Sequence, residues 1–267
     1  VQSHLRHWLD QRGITESSDG LYPVVVVAAE GGGIRAAYWT AAVLGRLQDL
    51  DPGFADHVYA ISGVSGGSLG GAVFTALVAE GRSHPRLPCA GKKGPRGPFE
   101  SCADTMLSTD FLAPTIGSLL YADLLQRFLP FPVAGFDRGR ALERSWERAW
   151  IRLPGIDSKR FGTLDASSTF DDLWCNHSEN RSEKCSELYH VPLLFLNTTH
   201  VEAGRRVIIS PIEITSSEFT DAEGFFENCN RKISLSSAVH NSARFTFVSP
   251  AGTVKRGNDE VWGHVVD

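Results

Sequence analysis

Two glycine-bearing turns and one aspartate hold the residue types from which an acyl-transfer centre can be built. Gly63-Val64-Ser65-Gly66-Gly67 has the pattern G-x-S-x-G. A serine at the centre of that pattern, on a sharp strand-to-helix turn, has its hydroxyl thrust clear of the backbone, where a substrate carbonyl can approach it. Gly31-Gly32-Gly33-Ile34-Arg35 precedes a helical stretch. Successive glycines at such a point leave backbone N–H groups uncovered at the positive end of a helix, which suits an oxygen that becomes negative during reaction. Asp267 is the third group, an acidic residue that closes the last apolar run. Each glycine motif by itself is weak evidence. G-x-S-x-G recurs by chance, and a run of glycines equally suits a flexible turn or a phosphate cradle. Their common placement between strand and helix makes the pair specific.

The elements that must position these residues can be read from apolar patterning. Val24 to Ala29 is an apolar run of the kind found in buried parallel strands, followed by a helix over Ala36 to Leu50. A strand around Val58 to Ile61 and a helix from about Gly67 to Glu80 repeat the arrangement. Val191 to Asn197 and Arg205 to Ser210 read as strands, with Thr198 to Gly204 as a hairpin or strand connection. Val261 to Val266 is the last strand and places Asp267 at its C-terminal edge, where α/β sheets keep their chemistry. Val1 to Arg12 has helical spacing, and Ser234 to Val239 begins a helix with serine caps. Arg140 to Trp150 reads as an amphipathic helix. Leu142, Trp146, Ala149 and Trp150 share one face, and Glu143, Arg144, Glu147 and Arg148 decorate the other. Ser101 to Phe136 is helical and unusually apolar, either core or a lipid-facing cap. Core is the preferred reading, because exposed apolar patches are uncommon. Arg82 to Glu100, with Pro85, Pro88, Pro95 and Pro98, reads as an exposed loop, and Thr163 to Glu187 as a polar surface insertion.

With these residues in view, the chain resembles the patatin-like phospholipase family. That family pairs a G-G-G-x-R loop with a G-x-S-x-G serine and a distant Asp-Gly motif. The matching residues are Gly31 to Arg35, Ser65, and Asp267 in Gly263-His264-Val265-Val266-Asp267. The stretch from Ser236 through Phe245 to Gly252 looks like the one that precedes the family's aspartate. Asp110-Phe111-Leu112 and Leu125 to Phe131 look like the middle of bacterial members. Glu30 stands where many members have aspartate, and the glycine that follows the family's aspartate is not in the chain. The resemblance therefore implies a fragment of a longer protein, truncated at the C-terminus, an expectation that the initial Val1 shares. It also implies one domain over residues 1–267, with a three-layer α/β/α fold around a mainly parallel central sheet. The activity implied is hydrolysis of lipid esters through a Ser65–Asp267 dyad, with Gly31, Gly32 and Gly33 forming the oxyanion hole. Arg35 would steady the loop or attract a lipid phosphate, unless it serves only as a salt-bridge partner. No metal or other cofactor is implied. The partners would be a lipid substrate and a membrane surface.

Composition narrows the alternatives. The chain has 267 residues, a formal net charge of −5 and 42% hydrophobic residues. That is ordinary for a globular domain, and the basic excess of a nucleic-acid binder is missing. No apolar run approaches the roughly 18 residues that span a bilayer. Cys89 and Cys102, and Cys175 and Cys185, bracket short loops, and Cys229 is left over. Two local disulfides or five reduced thiols are both open, and no zinc spacing occurs. Sequons occur at Asn176, Asn180 and Asn197. Ser62 and Ser68 flank Ser65 without being centred in its motif. A His264–Asp267 relay is disfavoured by their spacing along a strand, while a role for His240 stays open. The rival function classes are a non-catalytic lipid- or phosphate-binding module and a lipid acyltransferase. The glycine loop lacks both the G-K-[ST] ending of a P-loop and the G-x-G-x-x-G spacing of a dinucleotide site.

Overall fold

Two strands run into the two glycine motifs. They are β1 (Val25–Ala29) and β2 (Val58–Gly63), and they pair in parallel with Ala29 beside Gly63. Both motifs therefore leave the sheet at the same end. In this computed structural model the described residues are all of 1–267 except 15–20, 84–86, 88, 90–95, 132, 134–135, 163–168, 176–188, 230–231, 247 and 257–259. Val25 pairs with Val58 but Val26 with Ala60, so Tyr59 is an extra residue in the ladder. Such a bulge lets two successive side chains serve one face. Tyr59 and Ala60 both join the apolar cluster of α1 (Gln2–Asp10), in which Trp8 meets Tyr59 edge-on.

The sheet continues through β3 (Leu193–His200), β4 (Arg205–Ile209) and β5 (Ala222–Gly224), in the order β1-β2-β3-β4-β5. β6 (Gly252–Lys255) pairs with β7 (Val261–Val266), which also pairs with the end of β3. β1/β2, β2/β3 and β4/β5 are parallel, whereas β3/β4, β3/β7 and β6/β7 are antiparallel. The fold is α/β, but its sheet is mixed rather than mainly parallel as expected. The physical reason is the short turn at Val201 to Gly204. A tight turn can only reverse the chain, and a parallel neighbour would need a long crossover. β3 also runs on to His200, so Thr198 lies within a strand and not in the connection.

The helices are α2 (Gly33–Leu50), α3 (Phe54–His57), α4 (Gly66–Ser83), α5 (Pro98–Leu107), α6 (Leu112–Ser118), α7 (Leu124–Gln126), α8 (Arg138–Ile151), α9 (Phe225–Asn228) and α10 (Leu235–Asn241). α4 is the central helix, and every residue from Gly66 to Glu80 is buried. Its glycines let backbones touch. A Cβ at Gly67 would lie 2.2 Å from the Ala29 carbonyl oxygen, and one at Gly70 would lie 2.5 Å from that of Ala37. Helix α2 is thereby locked over α4, and β1 against its first turn.

Two expectations about helices fail. Glu143 and Glu147 are buried, not solvated, because α10 packs on their face of α8 and brings Ser236, Ser237 and His240 to meet them. The apolar stretch after residue 110 is not core either. Phe111 is buried, but Leu112, Leu120, Tyr121, Leu124, Leu125, Phe128 and Phe131 are exposed along α6, the π-helical turn Leu119–Asp123, α7 and the turns that follow it. Within Leu112 to Phe131 the charged residues are Asp123, which pairs with Arg138, and the exposed Arg127. No helix among the described residues is long and apolar enough to cross a membrane.

Cys89 and Cys102 form a disulfide, and Cys175 is disulfide-bonded as well; Cys185 lies outside the described residues. Cys229 is free, and burial pushes its thiol up to about 12. Most of the loop before residue 98, most of the polar insertion, and the sequons at Asn176 and Asn180 lie outside the described residues.

Candidate active site

β2 ends at Gly63, and the chain turns through Val64 and Ser65 into α4. Ser65 has φ 53°, and among the described residues no other non-glycine has a positive φ. An L-residue in this left-handed conformation costs roughly 1–2 kcal/mol, so neighbouring structure must impose it. Three contacts do so. The Val64 N–H donates to the Ala29 carbonyl at 3.2 Å, and the Ser65 N–H donates to the Ser242 carbonyl at 2.7 Å. Gly66 is pressed against α2, where a Cβ would stand 2.0 Å from the Gly33 carbonyl oxygen.

The first glycine motif lies alongside. A Cβ at Gly31 would come within 3.1 Å of the Ser65 Cβ. Gly32 takes φ 144° and Gly33 φ 60°, a combination that favours glycine and swings the chain into α2. α2 begins with no side-chain cap and no acidic residue in its first turn. The first N–H groups of a helix have no partner within the helix, so this end can serve an anionic oxygen.

Ser65 and all three glycines line one cavity of about 900 Å3, and so does Asp267. The rest of its wall is largely apolar, with Leu69, Leu107, Phe111, Leu142, Trp146 and Phe245. Asp267 follows β7, and its N–H donates to the Arg244 carbonyl at 3.2 Å. No hydrogen bond joins the Ser65 hydroxyl to the Asp267 carboxylate. Arg35 is exposed, does not line the cavity, and forms no ion pair among the described residues.

The other candidate nucleophiles and bases are engaged elsewhere. The Asn197 Nδ2 donates to the Ser62 hydroxyl at 3.0 Å. The Ser68 hydroxyl is buried 2.7 Å from that of Ser242, which itself donates to the Asn197 carbonyl at 2.5 Å. Ser68 is therefore the donor of the pair, and its lone proton is used. His264 sits 2.5 Å from Glu202, outside the cavity, so no His264–Asp267 relay forms. His240 is fully buried, with Nδ1 2.8 Å from Glu143 Oε1 and Nε2 3.0 Å from the Ser249 hydroxyl. Burial holds its pKa below the usual value against the pull of Glu143. Both ring nitrogens therefore have partners within the fold. Burial would raise Glu143, but His240 and Arg140 outweigh it and hold the carboxyl at about 2. This network does not reach the cavity.

Sequence reasoning missed the chain segment that ties Ser65 to Asp267. Ser242 and Arg244 lend their carbonyls to those two residues, and no motif marks a backbone acceptor. The side chains of Asn197 and Thr198 were also missed as functional candidates. Their only sequence signal was the sequon, and the Asn197 amide is committed to three acceptors at 2.9–3.2 Å.

The site and fold together define a class: an α/β protein with a serine on a strained strand-to-helix elbow beside a glycine-built helix start. No family model matches the sequence, and no curated protein matches it. Among solved structures, the chain is similar to VipD from Legionella pneumophila, at 13% identity and a TM-score of 0.34, covering 97% of this chain and 51% of that one. It is also similar to a chain of the heterodimeric ExoU–SpcU complex from the type III secretion system of Pseudomonas aeruginosa, at 20% identity and a TM-score of 0.35, covering 83% of this chain and 36% of that one. The chain thus spans about half and about a third of the two chains it matches. Likeness at this level carries no argument about chemistry, which rests on the geometry above.

Proposed function

We propose that the chain is a serine acyl hydrolase of the patatin-like kind, cleaving the carboxylic ester bonds of phospholipids or related lipids. One observation carries the reading: a strained, half-buried Ser65 and the carboxylate of Asp267 line the same apolar cavity as three glycines at an uncapped helix start. Ser65 Oγ attacks the ester carbonyl while Asp267 takes its proton, directly or through one water. The oxyanion is received by the N–H groups of Gly32 and Gly33, with Gly31 shaping the turn. Collapse of the intermediate expels the alcohol, which regains the proton from Asp267. A water activated by the same carboxylate then attacks the acyl-serine carbonyl and frees the acid and Ser65. Loss of one oxyanion donor in such sites costs about 3–4 kcal/mol of transition-state stabilisation.

The lipid substrate follows from the wall. A cavity of about 900 Å3 with few polar groups suits an acyl chain better than a polar metabolite. The exposed apolar side chains of α6 and α7 supply a contact for a membrane surface, and Leu112 belongs both to that patch and to the cavity wall. Arg35, clear of the cavity, is available to a lipid phosphate. The chemistry as drawn needs no cofactor or metal.

A short-chain p-nitrophenyl ester tests the reading, with a chelator present throughout. Steady turnover that is abolished in Ser65→Ala supports it. Turnover retained by that variant, or dependent on added divalent metal, contradicts it. A protein that binds lipid vesicles but turns over no ester would instead be a binding module, and transfer of the acyl group to an added alcohol in preference to water would mark an acyltransferase.

A further inference from the structure

Ser65 and Asp267 come from strands that are not neighbours, β2 and β7, and nothing in either motif fixes their separation. The residues that do so lie at the end of β3. Asn197 and Thr198 touch all three pieces of backbone on which the pair depends.

The Asn197 side chain holds the nucleophile's strand: its Nδ2 lies 3.0 Å from the Ser62 hydroxyl and 2.9 Å from the Gly63 carbonyl, just before the elbow. Its main-chain carbonyl accepts the Ser242 hydroxyl at 2.5 Å, and the Ser242 carbonyl in turn accepts the Ser65 N–H at 2.7 Å. The Thr198 hydroxyl lies 2.7 Å from the Asn241 carbonyl, at the end of α10, and 2.7 Å from the Val266 carbonyl, the residue before Asp267. One hydroxyl proton thus serves the segment behind Ser65 and the strand that carries Asp267. Thr198 is 3% exposed, so water cannot take over this bond. Arg244 completes the connection. Its carbonyl accepts the Asp267 N–H, and its guanidinium braces the segment through Asn241 Oδ1 at 3.0 Å and the Pro250 carbonyl at 2.9 Å.

We propose that Asn197 and Thr198 are positioning residues that set the placement of Asp267 relative to Ser65. Neither lines the cavity, and they act through backbone and the Ser62 hydroxyl. The inference rests on the hydrolase reading above. It also assigns a role to the Asn197 sequon, whose amide is engaged within the fold.

The test uses the full chain, a soluble ester and a fluorophosphonate that titrates active serines. Thr198→Val keeps the shape of the side chain and removes its proton. Displacements near an ångström can cost on the order of 100-fold in rate. The expected result is a fall in kcat per titrated site of tenfold or more, with KM within about twofold of wild type. Thr198→Ser, which restores the hydroxyl, should recover most of the loss. Ser242→Ala, which frees the same segment by another route, should reproduce the fall if Thr198→Val does not fold. A purely structural role would lower the melting temperature and the number of titratable sites while leaving kcat per site and its pH profile unmoved, and that result overturns the inference. Ser65→Ala runs in parallel. If it is inert while Thr198→Val and Ser242→Ala match wild type per site, only the positioning role is lost. If Ser65→Ala matches wild type, the hydrolase reading fails and the positioning role goes with it.

Discussion

Around Ser65 the polar groups are few, and those next to it are uncommitted, whereas Asp110 and Thr115 across the cavity are already bonded to backbone. The serine hydroxyl, the Asp267 carboxylate and the first N–H groups of α2 face a cavity with a largely apolar wall. Around His240 the polar groups are many and mostly paired, although Glu147 Oε2 is buried without a hydrogen-bond partner. Arg140 bonds Glu143 at 2.7 Å and Glu147 at 3.1 Å, Ser236 donates to Glu147 at 2.6 Å, Ser237 to Glu143 at 2.9 Å, and His240 lies between Glu143 and Ser249. Both regions hold residue types used in catalysis, and both meet α10. The difference shows that a histidine beside a carboxylate is no mark of a site when the atoms of both already have partners, even though Glu143 borders a small cavity of about 320 Å3 with Asp137, Arg140 and Arg144. A strained serine facing empty volume is the stronger sign.

Substitutions can break or sharpen this contrast. The largest effect is expected for Ser65→Ala, with ester turnover reduced by on the order of 10^4-fold or more and a melting temperature close to wild type. Ser65→Gly should be equally inactive yet more stable, by about 1 kcal/mol in chemical denaturation, because glycine adopts φ 53° without strain. Asp267→Asn keeps the shape and removes the base; a loss of roughly 10²- to 10⁴-fold in kcat is expected, read from steady-state kinetics.

In the other region the order of effects reverses. Glu143→Ala should cost about 3 kcal/mol of stability in urea denaturation, since it leaves buried His240 Nδ1 without its acceptor and Arg140 with Glu147 as its one remaining carboxylate, while kcat per folded molecule changes less than tenfold. Acid should do the same to the wild type. His240 is held below its usual 6.5, so the unfolded chain binds a proton that the native one refuses, and stability declines as pH falls through that value. Glu143 is held at about 2 against a usual 4.5, so its contribution is present above 4.5 and fades as pH falls toward 2. Thermal melts between pH 8 and 3 check both; a Glu143→Gln variant should lack the lower step. The smallest stability effect belongs to Phe128→Ser on the exposed patch, within about 0.5 kcal/mol, while sedimentation with phosphatidylcholine vesicles should weaken severalfold.

Much of the local structure was legible in the sequence because short-range physics decides it. Apolar runs bounded by glycines gave both strands and helices around the two motifs, and Ser234 caps α10 through the Ser237 N–H as its position suggested. What could not be read depends on partners distant in the chain. The direction of β4 against β3 is set by a turn of ordinary composition. The burial of Glu143 and Glu147 needs the serines of α10, which lie about 90 positions further on. The exposure of Leu120 and Phe128 is the converse: the pattern reads as core, but nothing among the described residues covers it. Ser65, the glycines and Asp267, which residue types and spacing suggested, line one cavity. The backbone links through Ser242 and Arg244 leave no trace in side-chain identity.

The central claim is that Ser65 alone among the serines is chemically activated. A fluorophosphonate that reacts with activated serines, followed by peptide mapping of the labelled protein, tests it without assuming a lipid substrate. The expected result is one label per chain, on Ser65, abolished by prior unfolding and absent from Ser65→Ala. Label on Ser62, Ser68 or another serine, or no label on a folded protein, would contradict the account.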